Sequence, residues 1–198
     1  MRAKEHANAI LDAFYPGEEG GAAVAETLSG RNNPAGRLPV TFYTGVDQLP
    51  DFENYSMKGR TYRYFEGKPL YPFGYGLSYT TFSYDNLRLS SKQAKVAGKI
   101  DVTVDVTNTG ARSGDAVVQL YIHQRAGSAS RPVRQLKGFE RVSLDPRSKR
   151  TVHFVLSKAE LEFWSPAKKA WVVEPERFDV WVGGDSTATL HDEFQLTP

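Results

Sequence analysis

Between residues 100 and 182 the chain repeatedly places apolar side chains at every second position. Ile100, Val102, Val104 and Val106 alternate with Asp101, Thr103, Asp105 and Thr107. Val118, Leu120 and Ile122 alternate with Gln119, Tyr121 and His123, and the same spacing recurs at Val152, Phe154 and Leu156 and at Phe178, Val180 and Val182. Successive side chains of a β-strand point to opposite faces, so each run predicts a strand with one apolar and one polar face. Turn signals such as Asn108-Thr109-Gly110 and Gly183-Gly184 separate the runs. The pattern predicts an antiparallel β-sandwich over residues 84–198.

A sandwich of that extent has the size of an immunoglobulin-like domain, and the 198 residues leave room for a smaller piece before it. With 40% hydrophobic and 12% aromatic residues the chain can bury a core. Ahead of the sandwich the text changes character. Residues 7–15 hold Ala9, Ile10, Leu11, Ala13 and Phe14, a run too short for periodicity to decide between buried strand and helix. Pro16-Gly17 marks a turn. Residues 18–28 open on Glu18 and Glu19, carry Ala22, Ala23, Val24, Ala25 and Leu28, and are followed by Gly30, which are helix start and stop signals. Residues 38–43 form a plausible next strand, so the opening resembles half of a βαβ unit. Residues 44–82 are loop-like yet dense in rings, including Tyr62, Tyr64, Phe65, Tyr71, Phe73, Tyr75, Tyr79 and Phe82. Such a segment is expected to lie against another surface.

Several function classes fall away. No cysteine is present, which removes disulfides, thiol catalysis and cysteine-based metal sites. A net charge of +2 is too small to mark a nucleic-acid binder. No apolar run approaches the roughly 20 residues of a membrane-spanning helix, and residues 1–14 lack a signal-peptide core. His6, His123, His153 and His191 are scattered without ligand spacing, so neither a metal nor a cofactor is expected.

Cleaving a glycosidic bond needs two carboxylates about 5 to 10 Å apart. Glu18 and Glu19 are adjacent, but acids at a helix start serve the macrodipole. Asp51, Glu53 and Glu66 lie in the aromatic segment, either lining a sugar site or standing as solvated loop acids. Arg125, Arg131, Arg134 and Lys137 follow one another with no acid between them. They suit an anion or a nucleic acid, or more simply an inter-strand arm pairing with acids on a neighbouring domain. The Asn54-Tyr55-Ser56 sequon matters only in a glycosylating host. Trp164, Trp171 and Trp181 are candidate sugar-stacking rings. Trp181 is the best placed, on the outward phase of its strand, where a partner domain could equally cover it.

Longer motifs carry a resemblance. Tyr15-Pro16-Gly17-Glu18-Glu19-Gly20-Gly21, Asn33-Pro34-Ala35-Gly36-Arg37-Leu38-Pro39, Tyr62-Arg63-Tyr64-Phe65 and Tyr71-Pro72-Phe73-Gly74-Tyr75-Gly76-Leu77-Ser78-Tyr79 occur in order. Arg131-Pro132-Val133-Arg134-Gln135-Leu136-Lys137 and Phe178-Asp179-Val180-Trp181-Val182-Gly183 follow. Together they resemble the C-terminal third of glycoside hydrolase family 3. The resemblance implies a mainly β chain: the C-terminal remnant of an α/β-sandwich domain (residues 1–60), an aromatic inter-domain strap (61–83) and a fibronectin-III-like sandwich (84–198). Residues 8–14 would be a buried strand of the α/β sandwich.

The family's enzymes are exo-acting, retaining β-glucosidases or β-xylosidases that use two carboxylates in a double displacement. Both carboxylates are expected upstream, in a barrel and in the earlier part of the α/β domain, so Glu18 and Glu19 inherit no catalytic role. The chain alone is therefore expected to be inactive, with β-glucosides or β-xylosides reached through the parent enzyme. The sandwich would clamp the barrel and α/β domain and assist a homodimer, with no nucleic acid or membrane involved. The alternative is a stand-alone carbohydrate-binding or scaffolding module, with Trp181 as its sugar contact.

Overall fold

The computed structural model describes residues 2–198. Among the described residues three short α-helices precede ten strands, and a fourth lies between the sixth and seventh strands. The strands are β1 (Phe82–Leu89), β2 (Gln93–Lys95), β3 (Ile100–Asn108), β4 (Gly114–Gln124), β5 (Gln135–Leu144), β6 (Lys149–Leu156), β7 (Phe163–Ser165), β8 (Ala170–Val172), β9 (Arg177–Gly183) and β10 (Leu190–Thr197). The helices are α1 (Arg2–His6), α2 (Gly20–Ser29), α3 (Thr61–Tyr64) and α4 (Lys158–Leu161).

Strands β1, β3 and β6 form one sheet, and β2, β10, β9, β4 and β5 form the other; β7 and β8 make a separate hairpin. The alternation in β3 is realised in full: Ile100, Val102, Val104 and Val106 are buried while Asp101, Thr103, Asp105 and Thr107 face outward. These side chains meet Val118, Leu120 and Ile122 of β4 and Phe178, Val180 and Val182 of β9 in one core between the sheets. Phe178 and Phe194 stack within it, with centroids 5.1 Å apart. The sandwich departs from a purely antiparallel one at an edge, where β2 pairs parallel with β10. That pairing is available because the chain crosses from the small sheet to the large one between β1 and β2. Within β1 a register shift falls between Asp85 and Arg88. Asn86 there adopts a left-handed φ of 53°, a conformation Asn tolerates better than most residues.

The lead-in differs from its expected form. Helix α2 forms where the boundary signals place it, and Gly30 closes it at φ 75° with its N–H donating to Thr27 O. Glu19 occupies the N-cap position, but its side chain caps nothing. Residues 8–14 are not a buried strand. They form no ladder, and Ile10, Leu11 and Phe14 stand exposed. Residues 38–43 make only the isolated bridge Phe42–Tyr71, with Leu38 N donating to Tyr75 O and Gly74 N to Leu38 O. A strand exists only where a neighbour offers its backbone groups. Residues 8–14 have none here, and residues 38–43 borrow theirs from the aromatic segment.

Asn108 fastens the β3–β4 turn from a fully buried position. Its Nδ2 donates to Arg112 O (2.8 Å) and Leu144 O (3.0 Å), while its Oδ1 accepts from Thr80 Oγ1 (2.6 Å) and Gly110 N (3.1 Å). Asn108→Ala strands these buried partners, so it is expected to cost about 2–4 kcal/mol of stability, read by urea unfolding. A loss under about 0.5 kcal/mol would contradict the assignment.

Candidate functional site

The polar phase of β4 is where the structure parts most from a simple sandwich. Gln119 and Tyr121 lie on the face opposite the core, yet they are 3% and 0% exposed. What covers them is the aromatic segment 61–82, laid across the outer face of the large sheet. Tyr62 stacks on Phe73 (centroids 4.2 Å) and meets Tyr121 edge-on (6.0 Å). The Gln119 amide is the latch. Its Nε2 donates to Gly74 O (3.2 Å) in the strap and to Gly184 O (2.5 Å) in the β9–β10 turn, and its Oε1 accepts from the Tyr121 hydroxyl (2.5 Å). Gly74 has a φ of 83°, and a Cβ there would collide with the Gln119 amide, so only glycine fits this crossing. Burial pushes the Tyr121 hydroxyl far above its ordinary pKa, keeping it a neutral donor.

Further bonds repeat the attachment along the strap. Ser186 N donates to Phe73 O (2.9 Å), Val133 N to Arg63 O (2.7 Å), and Leu136 N to the Tyr62 hydroxyl (3.3 Å). At its entry Thr61 takes a φ of 53°, disfavoured for a β-branched residue, and its N–H donates to the Tyr43 hydroxyl (2.7 Å). At its exit Tyr79 ties α2 to the sandwich. The Tyr79 hydroxyl donates to Thr27 O (2.7 Å), Asn33 Oδ1 accepts from Tyr79 N (2.8 Å), and Asn33 Nδ2 donates to Ser113 O (2.7 Å). Asn33 and Tyr79, both motif residues, are thus fasteners.

Beside the strap, two rows of side chains cross the same face. Tyr121, Trp181 and His191 are register partners on β4, β9 and β10, as are His123, Asp179 and Glu193. Trp181 is half-buried: the Arg134 guanidinium lies 3.9 Å from its ring centroid and His191 packs at 5.1 Å. Arg125 forks onto Asp179 (2.9 and 2.6 Å) and reaches Glu193 (2.5 Å). Its hydrogen bonds hold the Asp179 carboxyl below the ordinary range. At Arg125 the arm pairs within its own sandwich. Trp164 and Trp171 face each other across the β7–β8 hairpin and are the exposed tryptophans, at 50% and 58%.

The candidate acids are not gathered. Glu18, Glu19, Asp51, Glu53 and Glu66 are all exposed, and Asp51 serves its own loop by accepting from Glu53 N (2.9 Å). The sequon's Asn54 likewise accepts from Ser56 N (2.9 Å). Among the described residues no three His, Asp or Glu side chains are placed to hold a metal. A cleft of about 280 Å³ opens between strap and sandwich, lined by Thr41, Tyr62, Phe65, Val133, Arg134 and Ser186 among others.

This geometry defines a fibronectin-III-like sandwich whose larger sheet is roofed by an aromatic strap leading out of a lead-in that carries α2. Comparison with known proteins agrees: residues 1–79 match the glycosyl hydrolase family 3 C-terminal domain and residues 116–186 the fibronectin type III-like domain. The chain belongs to glycoside hydrolase family 3, as its C-terminal portion with the fibronectin-III-like domain. It is 41% identical over 99% of its length to a periplasmic beta-glucosidase of Salmonella typhimurium, of which it spans 27%. It is 43% identical over 92% of its length to a xylan 1,4-beta-xylosidase of Xylanibacter ruminicola, of which it spans 21%. Among solved structures, a beta-glucosidase from Kluyveromyces marxianus superposes with a TM-score of 0.86 at 37% identity, over 99% of this chain and 25% of that one. A Listeria innocua beta-glucosidase solved with glucose gives 0.83 at 31%, over 98% and 29%. The chain thus spans about a quarter of the length of these relatives.

Two expectations follow. Gln119→Leu leaves Gly74 O, Gly184 O and the Tyr121 hydroxyl without their partner, and should cost roughly 2–4 kcal/mol in urea unfolding. Lys137 of β5 supplies the second. Burial, with Arg131 and Arg63 adding to it, lowers its pKa from 10.5 to about 8. Between those values the unfolded chain still holds a proton that the folded chain has released, so stability rises from pH 8 toward about pH 10. Lys137→Met should flatten that rise in a pH series of unfolding curves.

Proposed function

We propose that these residues serve as the structural C-terminal portion of an exo-acting, retaining β-glycosidase acting on β-glucosides or β-xylosides. The observation that carries the reading is the strap. A segment rising out of the α/β lead-in is buried on the second face of β4 and held by Gln119, so the sandwich is built to grip that lead-in. A second observation supports it. Ile10, Phe14, Tyr15, Val46, Phe52 and Tyr55 of the lead-in are exposed, a spread of apolar surface that soluble domains normally cover. Chemistry in this reading belongs to two carboxylates contributed by the rest of the enzyme. The role of residues 2–198 is to hold the α/β domain in place.

A carbohydrate-binding module is the second reading, favoured by the exposed Trp164–Trp171 pair, whose rings offer apolar faces to a pyranose. Trp181, the ring expected to make that contact, would first have to shed Arg134. Titration with xylan and cello-oligosaccharides, following tryptophan fluorescence, separates the two readings; saturable binding lost in Trp181→Ala or Trp171→Ala favours the module.

The principal test is direct. The purified 198-residue chain should release no nitrophenol from 4-nitrophenyl β-glucoside or β-xyloside. Turnover that a single substitution within residues 2–198 abolishes would overturn the structural reading.

A further inference from the structure

The four cations of the arm divide into two pairs once the chain folds. Arg125 is consumed by Asp179 and Glu193. Arg134 lies flat on Trp181 and donates to Ala188 O (2.8 Å). Arg131 and Lys137 have no such partners. Instead they meet a third cation from a different segment, Arg63 of α3, because the strap's backbone runs beside the arm. Val133 N donates to Arg63 O and Leu136 N to the Tyr62 hydroxyl, so the strap runs alongside the arm, and the Arg63 charge is felt by both Arg131 and Lys137. All three are half-buried.

This seam is underfilled with acceptors. Nε of Arg63 and Nε of Arg131 are buried with no hydrogen-bond partner. Among the described residues none of the three cations joins the ion pairs made by Lys92, Lys99, Arg125, Arg141, Lys149 or Arg177. The acids in the vicinity are engaged or out of reach. Glu160 accepts from Ser157 N and Oγ (2.8 and 2.6 Å), Glu174 accepts from Ser128 N and Oγ (2.9 and 2.5 Å), and Glu162 acts on Lys137 only through space. Arg131 lies 4.3 Å from the Phe163 centroid and Arg63 5.8 Å from that of Tyr64, contacts that supply no hydrogen-bond acceptor to either Nε. Three like charges taken partly out of water with idle donors are costly unless an anion joins them. Burial, and after it the charges of Arg131 and Arg63, already depress the Lys137 pKa.

We propose that Arg63, Arg131 and Lys137 form a binding site for a small multivalent oxyanion of the inorganic phosphate class. The chemistry selects that class. Phosphate brings more than one negative charge and several acceptor oxygens to planar guanidinium forks and an ammonium. A lone carboxylate would neutralise one charge of three. Bound there, the anion joins the strap through Arg63 to the arm through Arg131 and Lys137. Occupancy therefore stabilises the strap on its sheet. The site does not depend on the glycosidase reading, and its test involves no turnover.

The experiment is thermal unfolding of the 198-residue chain at pH 7, with phosphate, sulfate or acetate each set against chloride at equal ionic strength. Saturating phosphate is expected to raise Tm by about 2 °C or more over chloride, with sulfate close behind and acetate well below. Lys137→Met and Arg63→Gln should each remove most of that rise, while Arg150→Gln, on the far sheet, keeps it. Lys137→Met should also be the more stable protein in chloride, since it loses the repulsion and keeps the stem. Should either variant fold poorly, broadening of the phosphorus-31 resonance by the unmodified chain, reversed by sulfate, supplies the same answer. A phosphate effect equal to that of chloride, or undiminished in both site variants, would overturn the site. An acetate effect equal to that of phosphate would overturn the phosphate assignment.

Discussion

Burial of β4 on both faces is the constraint on which the rest of the molecule depends. One face belongs to the sandwich core, through Val118, Leu120 and Ile122. The other carries Gln119 and Tyr121 under the aromatic strap. A buried amide is tolerable only when its donors and acceptor are all used. Gln119 meets that demand by spanning Gly74, Gly184 and the Tyr121 hydroxyl. The latch fixes where the strap crosses and requires a glycine at position 74. It also brings the strap, the β9–β10 turn and β4 to one point.

Around that point polar side chains fasten and aromatic rings fill. Tyr62 and Phe73 supply the apolar cover, while Ser186, Val133 and Leu136 supply backbone donors to it. The other end of the strap is fastened by Tyr79 and Asn33, which tie α2 to the sandwich. Charge is organised on the same face. Arg125, Asp179 and Glu193 neutralise one another, whereas Glu160, Glu162 and Glu174 act on Lys137 and Arg131 only through space, and Nε of Arg63 and of Arg131 are left unpartnered. The contrast follows from placement: Arg125 is set over β9 and β10, which carry acids outward, and Arg63, Arg131 and Lys137 sit in the seam with the strap.

The strands of the sandwich were legible because their inward residues obey a period of two and are β-branched or aromatic, as in β3 and β9. Helix α2 was legible from Glu19 and Gly30 at its ends. The second burial of β4 was not, since Gln119 and Tyr121 occupy the phase that a one-sided strand gives to solvent. Only the ring density of residues 61–82 hinted at a surface needing cover, and nothing in it named that surface. Residues 8–14 are apolar enough for a strand, but composition cannot supply a neighbouring strand to bond. Trp181 was correctly placed outward by its phase. That Arg134, far off in sequence, would lie on its ring depended on the path of the arm. The family resemblance rested on the strap and turn motifs, several of whose residues prove to be fasteners.

Hydrogen exchange by the strap amides tests the central claim most directly. If the strap is an integral layer of the sandwich, Gly74 N of the strap, and Ser186 N and Val133 N that donate to strap carbonyls, should exchange with opening free energies close to those of β3 and β4 core amides, and Gln119→Leu should lower all three together. Strap amides that exchange freely while the β3 and β4 core stays protected would contradict the account.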